Sequence, residues 1–297
     1  MRKFLANIFL FIIPFFVYII FAINILPYLL EKVNGSDTEK QLRVSFNNVS
    51  QNDFDLLLLG NSRVYRGVNP DKFSVSSYNF SHDNDGFNQL YFKLKYLEKR
   101  NISYKYLVIG IDYFQFSTFS DTRNYIYGEL FGQRYLDDYQ SNLFSSKLAH
   151  YSMVSNPKIL LYLKPKKTIP FIKKNGQYIR DIGKASLDDK VKRDITKSPL
   201  QIKYFNKIIE FCNKNSIKLF FVMLPLRQNE LDSYSQPEII NFDNFIKKRN
   251  IIYWNFSLDT LYNIEDYTDI THLNSKAADR FSLQLNDSIN HYLHSNK

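Results

Sequence analysis

The chain has 297 residues, 44% of them apolar, which excludes a disordered chain and leaves room for one large domain or two small ones. Lys and Arg outnumber Asp and Glu by 39 to 29, and the formal net charge of +10 favours anionic partners. The single cysteine, Cys212, excludes an intrachain disulfide and a thiolate metal site; its helical spacing from Phe205 and Ile208 predicts a small buried core residue.

The chain begins MRKFLANIFLFIIPFFVYIIFAINILPYLL, and no residue from Phe4 to Leu30 is charged. Crossing a bilayer core takes roughly 20 apolar residues, whereas a cleaved signal sequence carries an apolar run of about 7–15. The sequence therefore predicts a retained transmembrane helix over residues 1–31. Arg2 and Lys3 ahead of the span put the N-terminus in the cytoplasm by the positive-inside rule. The expected setting is a single-pass protein of the cell membrane, with the lipid bilayer as one partner and the rest of the chain extracytoplasmic. Nucleic acid is then a poor partner for the basic charge.

Residues 32–53 read as a polar linker, and 54–297 as an α/β domain. Apolar or β-branched runs at 55–59, 77–81, 105–111, 217–224 and 251–256 alternate with helical patterns. Leu90, Leu94 and Leu97 share one face, as do Ile202, Phe205, Ile209 and Cys212, and then Phe242, Phe245 and Ile246. Behind an Asn274/Ser275 cap, Phe281, Leu285 and Ile289 repeat the pattern. Continuous apolar strands between amphipathic helices indicate a parallel sheet of about five strands covered on both faces. Residues 117–199 break the alternation and read as an insertion. Within it, Lys158 to Arg180 holds seven basic residues and no acidic one. That stretch fits a lid or substrate platform over the sheet, and equally a solvated basic face near anionic lipid.

Ligands of such sheets gather at the carboxyl ends of the strands, and Ser62 falls there, in DLLLLGNSRV after the first strand. A serine becomes a nucleophile only with a base in reach and a third group to fix that base. Of His82, His150, His272, His291 and His294, only His272 has this company: in EDYTDITHLNS it follows Asp269 by three residues, after the fifth strand. Arg63 and Arg66 flank the serine, either to engage an anionic substrate or to pair with an acid such as Asp112. His82 and Asp83 read as an exposed loop pair. No two histidines share metal-ligand spacing with a carboxylate, and neither a metal nor a cofactor is called for.

LLLLGNSRV resembles the first block of the SGNH (GDSL-type) hydrolase superfamily, in which a serine follows a strand in a G-x-S turn. DITH is similar to its last block, with Asp and His three residues apart, and YNFSHDNDGFNQLYFKLKYL resembles the second, with Gly86 at the position whose amide helps bind the oxyanion. The likeness spans most of residues 54–292 and leaves out the insertion. It implies a flavodoxin-like three-layer α/β/α fold with Ser62 as nucleophile, His272 as base and Asp269 as its orienting group. The third block departs: Gly110-Ile111-Asp112-Tyr113 stands where the family has G-x-N-D with an asparagine donor. An ionised Asp112 would repel a developing oxyanion, so the hole falls to the amides of Ser62 and Gly86, with Asn84 or Asn88 as a side-chain donor. Asp112 joins Arg63 and Arg66 as a candidate substrate-binding residue. The G-x-S-x-G elbow of α/β-hydrolases is not met, because Val64 occupies its second glycine position.

Together with the anchor, the resemblance extends to membrane-anchored proteins of teichoic-acid D-alanylation and of alginate or peptidoglycan O-acetylation. It implies an O-acyltransferase, most simply an O-acetyltransferase, acting on a cell-surface or exported polysaccharide through a seryl ester. A multi-spanning membrane acyltransferase is then the implied partner. An esterase that deacylates the same polymers and a non-catalytic glycan-binding scaffold both remain open on the sequence.

Overall fold

A computed structural model describes residues 2–25, 38–117, 124–132, 135, 144–145, 171–179, 185–186, 195–249 and 251–295. The chain divides into two compact units, residues 1–43 with 121–169 and residues 44–120 with 170–297. In the first unit the α-helix Arg2–Ile20, with Pro14 inside it, continues as a π-helical turn over Phe21–Ile25. Phe9, Leu10, Phe11 and Phe15 on this helix are exposed. Among the described residues no helix is long and apolar enough to cross a membrane; residues 26–31, the end of the predicted span, lie outside them. The helix Asn124–Phe131 carries Tyr127 and Phe131, whose rings stack.

The second unit holds the sheet. Strands β1 (Leu56–Leu59), β2 (Ser77–Asn79), β3 (Tyr106–Ile111), β4 (Phe171–Ile172), β5 (Tyr178–Ile179), β6 (Lys218–Met223) and β7 (Ile252–Asn255) follow in chain order. Five of them form one sheet in the order β2-β1-β3-β6-β7, every pair parallel, while β4 and β5 make a separate antiparallel hairpin. The five predicted strands are the five strands of the sheet. Leu58 pairs with Asn79 on one side and Val108 on the other, Val108 with Phe220, and Phe220 with Ile252.

Alternation along each strand sends side chains to opposite faces. Leu56, Leu58, Val108, Phe220 and Val222 join Phe281, Leu285 and Ile289 of the long helix Ser275–Ser295 in one core. The neighbouring register position, Phe221, meets Phe205 of the helix Pro199–Lys214, with ring centroids 4.9 Å apart. Phe205 in turn meets Phe87, the first residue of the helix Phe87–Lys99. On Pro199–Lys214 the buried side chains are Gln201, Tyr204, Phe205, Ile208, Phe211 and Cys212, with Ile202 and Ile209 only half-buried, so the inward face keeps Phe205 and Cys212 of the predicted stripe and turns toward Ile208. Burial pushes the Cys212 thiol up to about 12, as expected of a packing residue rather than a reactive one.

The predicted linker holds more structure than its polarity suggests. Thr38–Val49 is a helix, and Leu42, Phe46 and Val49, spaced four and three apart, are buried on it. Phe46 packs edge-on against Phe80 and Tyr96 at 4.8 Å, and the Tyr96 hydroxyl donates to the Phe46 carbonyl. Three of its four apolar residues sufficed, because they fall on one stripe, while Val44 is exposed.

Chain direction across the sheet reverses between β1 and β3. One connection leaves β1 toward β2, and the chain then returns to the far side of β1 as β3. Doubly wound sheets open a crevice at such a switch point. Ser62 follows β1 and Asp112 follows β3, so both stand at its mouth.

Candidate active site

The Ser62 backbone is placed by two glycines and an asparagine. A Cβ at Gly60 or Gly110 would lie 2.4 or 2.0 Å from Val64 Cγ2, so only glycine at the ends of β1 and β3 lets the helix Ser62–Gly67 seat its Val64 between them. Asn61 caps that helix: its Oδ1 accepts from the Arg63 amide at 3.0 Å. The Ser62 amide, at the first helical position, has no intrahelical carbonyl to meet.

The second half of the site is a closed turn. Tyr267 and Leu273, both in the core beside Val64, form an antiparallel bridge, and the Thr268 amide donates to the His272 carbonyl at 2.9 Å. Asp269 sits on the tip, where its Oδ1 accepts from the amides of Thr271 (2.9 Å) and His272 (3.0 Å). Both carboxylate oxygens lie 2.8 Å from His272 Nδ1, and His272 Nε2 lies 2.8 Å from Ser62 Oγ. A carboxylate only accepts, so Nδ1 carries the proton and Nε2 is left to accept from the serine hydroxyl. Two segments 210 residues apart thus meet at hydrogen-bonding distance.

Burial sets the protonation of this pair. His272 is held below its ordinary value mainly by burial; its hydrogen bond to Asp269 pulls the other way and the Arg66 charge adds to the lowering. Burial alone would raise Asp269, yet His272 and the two amides hold its carboxyl well below the usual carboxylate range. An isolated Asp–His ion pair would raise the imidazole, so its net lowering reflects burial and the guanidinium together, and the resting ring is neutral at pH 7.

Both arginines flanking Ser62 are engaged by acids. Arg63, 4% exposed, donates to both carboxylate oxygens of Glu230 at 2.6 and 2.7 Å and to the Thr271 carbonyl at 3.3 Å, with Nε 3.5 Å from Asp112. Burial by itself would lower the Arg63 guanidinium, but Glu230 and Asp112 raise it above its ordinary value. Arg66 donates to both oxygens of Asp83 at 3.0 and 2.9 Å, and its Nη1 lies 3.0 Å from His272 Nδ1 and 3.7 Å from Asp269. Asp112 is buried, accepting from Asn61 Nδ2 at 2.6 Å and from the Gln115 amide at 3.0 Å. Of the two readings open for these residues, the pairing of arginine with nearby acids is the one the geometry contains; neither Arg63 nor Asp112 faces open solvent.

The predicted oxyanion donors are placed differently from one another. The Gly86 amide donates to Gln89 Oε1 at 2.8 Å in a capping box, so in this arrangement it is already taken. Asn84 is exposed with φ of +61°, in the left-handed region asparagine tolerates. Asn88 is buried and accepts from Gln201 Nε2 at 3.2 Å. His82 and Asp83 do not form an exposed pair. The His82 ring packs on Tyr65 at 4.8 Å, and its Nδ1 lies 2.9 Å from Lys93 Nζ, which also donates to Asp85 and to the Phe80 carbonyl. The small side chain of Asp83 instead reaches across to Arg66.

The hairpin β4–β5, from the predicted insertion, also supports the site: Gln177 Nε2 donates to the Arg66 carbonyl at 3.1 Å, and Tyr178 stacks on Tyr65. Of the basic stretch 158–180, only 171–179 falls among the described residues. Asn61, Asp83, Glu230 and Gln177 were missed as site-forming residues on the sequence. Asn61 was readable, since an asparagine between a strand and a helix is a cap signal; Glu230 had no local signal at all. Among the described residues no group of three or more His, Cys, Asp or Glu is arranged to hold a metal ion.

No family model matches the chain, and no curated protein matches it. Three solved structures are similar to it at a distance. A Bacteroides fragilis protein provisionally described as an acylhydrolase shares 11% identity over 86% of this chain and 99% of its own, with a TM-score of 0.42. A Streptococcus pneumoniae protein provisionally described as a platelet activating factor shares 12% over 88% and 96%, with a TM-score of 0.45. A GDSL-like lipase from Bacteroides thetaiotaomicron shares 8% over 85% and 100%, with a TM-score of 0.42. The fold assignment rests on the strand order and register above.

Proposed function

We propose that this chain is a serine-dependent acyl-transfer enzyme of the SGNH type, anchored to the cell membrane by its N-terminal segment, with the site outside the cytoplasm. The observation that carries the proposal is the Ser62 Oγ–His272 Nε2–Asp269 alignment, with both links at 2.8 Å. Ser62 Oγ attacks the acyl carbonyl while its proton passes to His272 Nε2. The imidazolium then protonates the leaving oxygen, and a seryl ester remains. An acceptor hydroxyl, deprotonated by the same nitrogen, releases the acyl group and restores the serine. The donor we assign to the developing oxyanion is the Ser62 amide, which has no intrahelical carbonyl to meet. Asp112 is held by Asn61 and Arg63 away from that role.

The acceptor we infer is a hydroxyl of a surface or exported polysaccharide and the transferred group acetyl, with a multi-spanning membrane acyltransferase as supplier. This part rests on the uncharged stretch from Phe4 to Leu30, the basic balance of the chain and the family resemblance. The full chain in detergent should react with a fluorophosphonate probe and hydrolyse an activated acetyl ester slowly. Ser62→Ala and His272→Ala should each lower that hydrolysis by on the order of a thousandfold or more. Unchanged turnover in both would refute the assignment. Transfer of acetyl to an oligosaccharide, measured against release of free acetate, separates a transferase from an esterase.

A further inference from the structure

Arg66 faces more than one partner and is shielded from solvent; because His272 Nδ1 carries its proton toward Asp269, the guanidinium acts on the ring by charge and not by a hydrogen bond. Arg66 lies four residues after Ser62 on the same short helix, so its side chain rises on the serine's face. One guanidinium nitrogen holds Asp83; the other lies 3.0 Å from His272 Nδ1 and 3.7 Å from Asp269 Oδ2. Its carbonyl is held by Gln177, and its guanidinium lies over the Tyr178 ring at 5.5 Å. Four segments therefore fix this one side chain: the serine helix, the 81–86 loop, the hairpin and the turn that carries Asp269 and His272.

Resting on the reading of Ser62, His272 and Asp269 given above, we propose that Arg66 is a positioning residue: it clamps the Asp269–His272 turn to the Ser62 helix and keeps the imidazole ready to take the serine proton. The charges around the ring make this workable. Asp269 faces it from its own turn, Arg66 from the serine helix and Asp83 from the 81–86 loop; Arg63, on the same helix, is bound to Glu230 of the helix Gln228–Leu231 and donates to the turn at the Thr271 carbonyl. Two carboxylates and one guanidinium leave one net negative charge beside the ring. That favours the imidazolium once Ser62 has given up its proton, while Arg66 opposes protonation from solvent in the resting site. Because Asp83 takes Nη2 and Nη1 is turned toward the Asp269 carboxylate and the buried ring, an anionic substrate group is not what it holds.

The test is the pH profile of the full chain with two activated acyl esters, one neutral and one carrying a carboxylate. Arg66→Gln should raise the midpoint of the acid limb by about one pH unit and lower kcat on the order of tenfold, with KM for the neutral ester unchanged. Arg66→Lys keeps the charge but not the fork; it should restore the midpoint and recover only part of kcat. Asp83→Asn, which leaves Arg66 without its anchor, should lower kcat several-fold at constant KM, and it carries the test together with Arg66→Lys if Arg66→Gln does not fold. A lowered kcat without a shifted midpoint in Arg66→Gln would make Arg66 merely structural and overturn the proposal. So would wild-type kinetics in Asp83→Asn, or a raised KM confined to the anionic ester. Loss of the underlying reading looks different: Ser62→Ala would then keep wild-type activity.

Discussion

Arg63 and Arg66 leave the same six-residue helix three positions apart, each carries a bidentate carboxylate, and they do opposite things. Arg63 and its partner Glu230 are 4% and 2% exposed, sealed beneath the serine loop. Arg66 is also buried, but its partners Asp83 and Asp269 are 36% and 43% exposed and it touches the imidazole. The contrast teaches that a charge next to a nucleophile is not thereby a substrate-binding charge. What decides is whether the counter-ion is closed off from water, as Glu230 is, or also holds the imidazole, as Asp269 does.

The sealed side gives the largest expected effect on stability. Glu230→Gln leaves a buried guanidinium short of its counter-charge and should cost about 3–5 kcal/mol, read as a lowered midpoint in denaturant. A double variant, Arg63→Met with Glu230→Leu, should recover most of that stability, since an apolar pair of similar size often replaces a buried ion pair without loss. If the single variant is as stable as the parent, Arg63 is not the architectural member of the pair.

The half-open side is read through pH. His272 is depressed below its ordinary value of 6.5, and in the proposed mechanism it can take the Ser62 proton only when neutral. Activity should therefore be flat through neutrality and fall only as pH drops through that lowered value. A midpoint above about 6.5 would mean that Asp269 outweighs burial and Arg66. The smallest effect belongs to the hairpin: Gln177→Ala removes one buried hydrogen bond to the Arg66 carbonyl and should cost about 1 kcal/mol. A crystal structure of that variant with Arg66 unmoved would show that Asp83 alone is sufficient to hold it.

How much was legible in the chain varies by element. DLLLL, KYLVIGI and IKLFFVML are apolar runs bounded by polar residues, and each became a parallel strand because nothing but burial on both faces suits them. The D-x-x-H turn was equally legible, since Asp269 is hydrogen-bonded to amides two and three residues later. The helix Thr38–Val49 was read as linker because its polar residues outnumber its apolar ones, while its stripe of Leu42, Phe46 and Val49 found a core only the fold supplies. His82 was read as exposed on its polar neighbours, yet Tyr65 and Lys93 enclose it.

The sequence by itself determined the strands, their parallel sense, the place of Ser62 at the end of the first, and the local closure of Asp269 on His272. These depend on periodicity and on hydrogen bonds within a few residues. Only the tertiary structure decided which donors are already occupied and which charges are neutralised: the Gly86 amide by Gln89, Arg63 by Glu230 across 167 residues, Arg66 by Asp83 and a hairpin from the insertion. A polar group's availability depends on what packs against it in space, and no local pattern in the chain records that.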